Sequence, residues 1–310
     1  MSTIKNYLSL IKFSHTIFAM PFALIGFFLA SRESILEFFG GWGKDALPSQ
    51  WSTVDGAPGR PWWVLLALVV LCMVFARSAA MAFNRYLDRH FDARNPRTAI
   101  REIPAGIIGA DKALVFTIAS SLLFILCTWF INRLCFFLSP VALLVVLGYS
   151  YTKRFTALCH LVLGLGLSLA PIGAYLAVTG KFDWLPILFS FAVIFWVSGF
   201  DIIYALQDEE FDRSNQLHSI PAALGKSRAL KVSEWLHALS AASVIAAGLY
   251  GDFGWLYWIG VAVFVGMLVY QHSIVKPNDL SRVNIAFMTA NGVASVVFAL
   301  FVISDLFVTL

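Results

Sequence analysis

Long apolar runs constrain this chain more than any other feature. A helical span of a bilayer needs about 20 apolar residues. Nine stretches meet that measure, at roughly 14–31, 62–84, 113–131, 134–151, 157–178, 184–206, 234–251, 254–271 and 285–306. The runs are continuous and do not alternate, so they describe helices and not the strands of an outer-membrane barrel. The expected fold is all-α: a polytopic membrane bundle of nine transmembrane helices, one domain over 1–310, with loops capping its cytoplasmic end. Composition agrees, since 13% of residues are charged and 59% hydrophobic, against about 25% charged in soluble domains. Residues 2–12 suit a short interfacial helix. Residues 32–61 mix Gly, Pro, Trp and charge, and read as an extramembrane loop. The four cysteines fall in apolar runs without metal-ligand spacing and read as small core residues.

The basic residues orient the bundle. With nine spans, sixteen of the 22 Lys and Arg residues fall on the side of the N-terminus and five on the other, with Arg77 inside the second span. The richer side is cytoplasmic by the positive-inside rule, as in a bacterial inner membrane. A net charge of +4 does not mark a nucleic-acid binder, and the sequence implies no obligate protein partner.

Chemistry-bearing residues gather on that side. The second span ends Asn84-Arg-Tyr-Leu-Asp88-Arg-His-Phe-Asp92, and the sixth ends Asp208-Glu-Glu-Phe-Asp212. A step of four residues turns a helix by about 40°, so Asn84, Asp88 and Asp92 share one broad face. The two segments resemble each other. Asp92-Ala-Arg-Asn95 precedes Ile103-Pro104-Ala105, as Asp212-Arg-Ser-Asn215 precedes Ile220-Pro221-Ala222, so the helix-loop unit reads as an internal repeat. One such segment alone reads as a solvated helix end. Two carboxylate clusters facing one cavity repel unless cations neutralise them, and carboxylate and amide oxygens are hard ligands suited to Mg²⁺. Arg97, Arg101, Lys153, Arg154 and Lys226 lie near enough in sequence to hold a polyanion. The pattern points to a Mg²⁺-diphosphate site at a membrane surface. Arg77 precedes Asn84 by seven residues and Asp201 precedes Asp208 by seven. Charges inside a span are costly, so a functional or paired role is the default reading.

These residues resemble the motifs of the UbiA superfamily of intramembrane prenyltransferases, over nearly the whole chain. Asn84, Asp88 and Asp92 match NDxxDxxxD. Asp208 and Asp212 match DxxxD. Tyr149 and Lys153 match YxxxK, and the stretch from Arg97-Thr98 to Arg101 matches RTxxR. Arg85 replaces the aspartate of the first motif's second position, about 100° round the helix from Asn84. The phrases NRYLDRHFDARNPRTAIREIPAG and ALQDEEFDRSNQLHSIPAALG look most like the 4-hydroxybenzoate polyprenyltransferase-like branch.

The resemblance implies transfer of a polyprenyl group from polyprenyl diphosphate to an aromatic acid of the 4-hydroxybenzoate type, in ubiquinone or menaquinone synthesis. It implies Asn84, Asp88, Asp92, Asp208 and Asp212 as Mg²⁺ ligands, with Asp88 and Asp208 also catalytic. Lys153 and Arg154 would bind the diphosphate with Tyr149 nearby, and Arg97 and Arg101, also expected to bind substrate, sit in loops that could cap the site. Arg77 would hold the acceptor's carboxylate or complete the diphosphate site. Asp201 would orient the ring or take its proton, or else pair with Arg77. His160 reads as a satisfied polar contact, and His218 as part of a cap. Membrane lipid would flank the tail groove. The alternatives are prenylation of 1,4-dihydroxy-6-naphthoate or of another family acceptor. A transporter is the alternative outside enzymology.

Overall fold

The computed structural model describes residues 3–12, 16, 18–40 and 60–308. The described residues are helical, apart from turns, loops and one isolated bridge between Lys276 and Asp279. α1 (Thr3–Leu10) precedes α2 (Met20–Gly40), α3 (Trp62–Arg94), α4 (Ala110–Trp129), α5 (Arg133–Thr152), α6 (Cys159–Thr179) and α7 (Trp184–Ala205). A 3₁₀ turn over Leu206–Asp208 joins α7 to the short α8 (Glu209–Ser214) and α9 (Ile220–Leu224) follows. α10 (Lys226–Tyr250), α11 (Trp255–Ile274), a π turn over Ile285–Ala290 and α12 (Asn291–Val308) complete the order.

Eight of these helices are long and apolar enough to cross a membrane. They correspond to the second to ninth expected spans. α2 takes the place of the first, with a correction. The helix begins at Met20 and runs through Gly40, so residues 32–40 are helical and not loop. Charge at Arg32, Glu33 and Glu37 marks its last turns as polar, yet polarity does not end a helix. Ser31 and Ile35 are buried there, and Arg32 Nε donates to the Leu306 carbonyl at 2.6 Å. The remaining part of the expected loop, 41–59, lies outside the described residues.

α3 spans 33 residues, which at 1.5 Å per residue is about 50 Å, well beyond the roughly 30 Å hydrocarbon core. The first acidic motif is therefore carried rigidly at the end of a membrane-length helix. No Gly or Pro interrupts the run from Trp62 to Arg94.

Two glycines set the closest helix approaches. A Cβ on Gly26 of α2 would lie 2.0 Å from the Pro171 carbonyl oxygen of α6, and one on Gly164 of α6 would lie 2.5 Å from the Ile194 carbonyl oxygen of α7. Removing the side chain lets the backbones meet, which is how helices associate in lipid. An aromatic core of Phe22, Trp196, Phe264 and Phe298 joins α2, α7, α11 and α12, with ring centroids 5.2–6.3 Å apart. Beside it, buried Asn291 accepts from Trp196 Nε1 and Gln271 Nε2, both at 2.8 Å, while its amide donates to the carbonyls of Ala286 and Phe287 in the π turn.

Candidate active site

The ends of α3, α5 and α7 meet with the loop 95–109 and the segment 215–219. Every aspartate of the two motifs finds its own cation there. Arg154 Nη2 is 2.9 Å from Asp88 Oδ1, and Arg101 Nη1 is 2.7 Å from Asp92 Oδ1. Arg97 grips both oxygens of Asp208, through Nε at 3.0 Å and through Nη2. Lys153 Nζ is 2.7 Å from Asp212 Oδ1. The pairs cross between motifs. Arg97 belongs to the loop after the first motif and holds the second. The consecutive residues Lys153 and Arg154, just past α5, reach Asp212 and Asp88 respectively.

Local structure explains each position. Asn84 and Asp88 are one turn apart on α3, and the Asn84 amide donates to Asp88 Oδ2 at 2.9 Å. The loop after α3 folds back through tight turns, with the N–H groups of Thr98 and Ala99 both donating to the Asn95 carbonyl. That fold aims Arg97 and Arg101 back at the acidic face. Arg154 is braced by the carbonyls of Ser150 and Leu87 and lies over the Phe91 ring at 5.4 Å. Arg97 Nη1 also donates to the Tyr204 hydroxyl, and Tyr204 stacks on Phe287 of the π turn at 4.2 Å.

The carboxylate partners favour the charged form of two of these four cations, Lys153 and Arg97. Burial works against the Lys153 ammonium, but the Asp212 carboxylate outweighs it and holds Lys153 above the usual lysine range. Burial likewise opposes the charge on Arg97, and Asp208 more than offsets it.

Behind the charged mouth lies an apolar cavity of about 380 Å³ between α3, α4, α5 and α6, lined by residues such as Cys72, Met73, Leu138, Ala142 and Leu167. Arg77 is the charged residue of that lining, and Tyr149 lines it too. Arg77 Nε is buried without a hydrogen-bond partner. Tyr149, which lines the cavity beside Arg77, sits within electrostatic reach of Asp88 and Asp201.

The sequence-selected residues are largely brought together, with three refinements. Asp201 pairs with His160 at 2.6 Å and not with Arg77. The carboxylates stand apart, each on its own base, and among the described residues no three or more of them close around one ion position. Lys226 turns to Glu209, 3.9 Å away, and not to the motif aspartates. Arg85 is 4% exposed, with Nε and Nη1 unpartnered, in the field of Asp92, Glu102 and Arg101. Sequence reasoning missed Asn95, whose amide donates to Asp208 Oδ1 at 3.0 Å, and Ser219, whose hydroxyl donates to Asp212 Oδ2 at 2.8 Å. A signal existed for both. Asn95 follows the first motif within the repeat, and Ser219 precedes Ile-Pro-Ala as an N-cap.

Comparison with known proteins bears on the family and the fold. The model of the UbiA prenyltransferase family matches residues 46–293. The 4-hydroxybenzoate octaprenyltransferase of Nitrosospira multiformis is 31% identical over 252 residues, covering 81% of this chain and 87% of its own. That of Nitrosomonas europaea is 30% identical over 262 residues, covering 84% and 89%. The apo structure of a UbiA homologue from Aeropyrum pernix K1 superposes with a TM-score of 0.74 at 27% identity, over 95% of this chain and 98% of that one. A UbiA homologue from Archaeoglobus fulgidus bound to GPP and Mg²⁺ shares the fold, with a TM-score of 0.69 at 20% identity, over 98% and 100%. With the acidic motifs, their basic partners and the apolar cavity on one helical scaffold, the chain belongs to the UbiA prenyltransferase family and is a membrane-embedded prenyltransferase.

Proposed function

We propose that this protein transfers a polyprenyl group from its diphosphate to an aromatic acid of the 4-hydroxybenzoate type, for quinone synthesis, at the cytoplasmic face of a bacterial inner membrane. The observation that carries the reading is the juxtaposition of four paired carboxylates with an apolar cavity whose lining includes Arg77 as its charged residue. The relatives named 4-hydroxybenzoate octaprenyltransferase support the acceptor class.

Asn84, Asp88, Asp92, Asp208 and Asp212 would hold Mg²⁺. Their oxygens are hard donors, and Asp92 Oδ2 is buried with no hydrogen-bond partner, a spare ligand atom. When bound, the metal supplies charge neutralisation of the diphosphate leaving group. Arg97, Arg101, Lys153 and Arg154, each paired with a motif carboxylate in the structure, would donate to the diphosphate oxygens where charge develops. The prenyl tail occupies the apolar cavity, which keeps water from the allylic cation. Tyr149 offers an aromatic face in the cavity lining, suited to that cation. Arg77 binds the acceptor's carboxylate, which would give its buried, unpartnered Nε an acceptor.

The test is an assay on membranes containing the chain, with polyprenyl diphosphate, Mg²⁺ and either 4-hydroxybenzoate or 1,4-dihydroxy-6-naphthoate, read by mass spectrometry. A prenylated 4-hydroxybenzoate is the expected product. Product with the naphthoate alone assigns the other quinone route. No product with either, beside an active control, overturns the acceptor class.

A further inference from the structure

His160 is 2% exposed and its ring is held at both nitrogens. Nδ1 lies 2.6 Å from Asp201 Oδ2, and Nε2 lies 3.3 Å from the backbone nitrogen of Ile220. A backbone N–H can only donate, so Nε2 accepts and the ring proton resides on Nδ1, donated to Asp201. The tautomer is thus set by the main chain. Asp201 retains a second oxygen, Oδ1, that makes no hydrogen bond among the described residues, and its side chain is 24% exposed.

Ile220 opens α9 and ends a strap over the site. The Leu217 N–H donates to the Asp212 carbonyl at 2.8 Å, and the His218 N–H to the Lys153 carbonyl at 2.7 Å. Ser219 bonds the Asp212 carboxylate. One four-residue strap therefore touches Lys153 and Asp212 on the diphosphate side and, through His160, Asp201 on the other. Asp201 in turn lies within electrostatic reach of Tyr149, which lines the cavity with Arg77.

We propose that His160 is a positioning residue for prenyl transfer, holding Asp201 as the base that takes the acceptor's ring proton and tying that base to the 217–220 strap. The proposal rests on the aromatic-acceptor reading above. In the step, the allylic C–O bond breaks and its electron pair leaves with the diphosphate. A ring π pair forms the new C–C bond to the prenyl carbon. The hydrogen on that ring carbon passes as a proton to Asp201 Oδ1, and the C–H pair restores the aromatic ring.

The experiment compares wild type, His160→Asn and His160→Phe, using 4-hydroxybenzoate with hydrogen or deuterium on the ring carbons flanking the hydroxyl. His160→Phe removes both polar contacts at similar volume. Its kcat is expected to fall about 100-fold, the lower range for a general base, with KM for polyprenyl diphosphate within about twofold. Its ring-deuterium isotope effect is expected to rise, because proton removal becomes slower than bond formation. His160→Asn keeps an N–H near the Nδ1 position and is expected to recover most of kcat with a wild-type isotope effect. Wild-type kcat in His160→Phe overturns the proposal. A loss of kcat with an unchanged isotope effect in both variants also overturns it, since that marks a merely structural role. Should His160→Phe fail to accumulate, the isotope effect of His160→Asn and of Asp201→Asn decides: a raised value in Asp201→Asn alone supports the proposal, and wild-type values in both overturn it. A wild type that transfers to no aromatic acid overturns the parent reading instead, and shows it before any variant is made.

Discussion

Single side chains carry the sharpest expectations. Asp88 accepts from Asn84 through one oxygen and from Arg154 through the other. Asp88→Asn retains the shape and an acceptor but loses the charge. Turnover is expected to fall at least about 100-fold with an unchanged melting temperature in detergent, and retained activity would remove Asp88 from the metal site. Arg77 is different, because its buried Nε has no partner. Arg77→Met exchanges an expensive intramembrane charge for an apolar chain of similar length. Its melting temperature is expected to hold or rise. KM for the aromatic acid is expected to increase about 10–100-fold, the equivalent of a charge-assisted hydrogen bond, with KM for polyprenyl diphosphate unchanged. A change in the second constant and not the first would move Arg77 to the diphosphate.

At the scale of helices, polar contacts inside the bundle fix geometry that apolar packing leaves loose. Asn291 ties α12 to α7 and α11 and satisfies carbonyls freed by the π turn. Phe287 of that turn stacks on Tyr204, whose hydroxyl accepts from Arg97. Asn291→Leu would leave the Trp196 and Gln271 donors buried without an acceptor, each worth about 1–3 kcal/mol. Unfolding in detergent is expected to be easier by about 2–5 kcal/mol, with some loss of diphosphate affinity as Arg97 loses its brace. Gly164 sets the distance between α6 and α7, and Gly164→Leu is expected to cost about 1–3 kcal/mol through the clash with the Ile194 carbonyl. A variant as stable as wild type would mean that the two helices separate freely.

For the whole molecule, charge balance couples metal to substrate. The carboxylates that would take Mg²⁺ and the bases that would take diphosphate neutralise one another. Each ligand should bind poorly alone, because it leaves the opposite set of charges unpaired in a low-dielectric site. Polyprenyl diphosphate affinity, measured by calorimetry, is expected to weaken at least about tenfold on chelating Mg²⁺. Equal affinity with and without metal would refute the coupling. The cavity would limit the proposed tail in the same global sense. Ala142→Phe narrows it from α5, and mass spectrometry of products from a mixture of diphosphates is expected to shift to shorter chains.

Apolar run length and motif spacing were enough to read the helical membrane class, eight of the nine spans to within a few residues at most ends, and the acidic motifs. They were enough because apolar length and a four-residue spacing are local properties that the bilayer and the helix read directly. They misjudged residues 32–40, where charge suggested a loop although tertiary contacts of Arg32 and Ile35 keep the helix going. Which base meets which acid is a matter of tertiary packing. Arg97 and Asp208 are 111 residues apart, and Arg154 and Asp88 are 66 apart. No local pattern could pair them, or give Asp201 to His160 and not to Arg77. Those choices follow from where the helix ends converge, and convergence is set by close packing at residues such as Gly26 and Gly164, whose effect lies in the backbone they allow to approach.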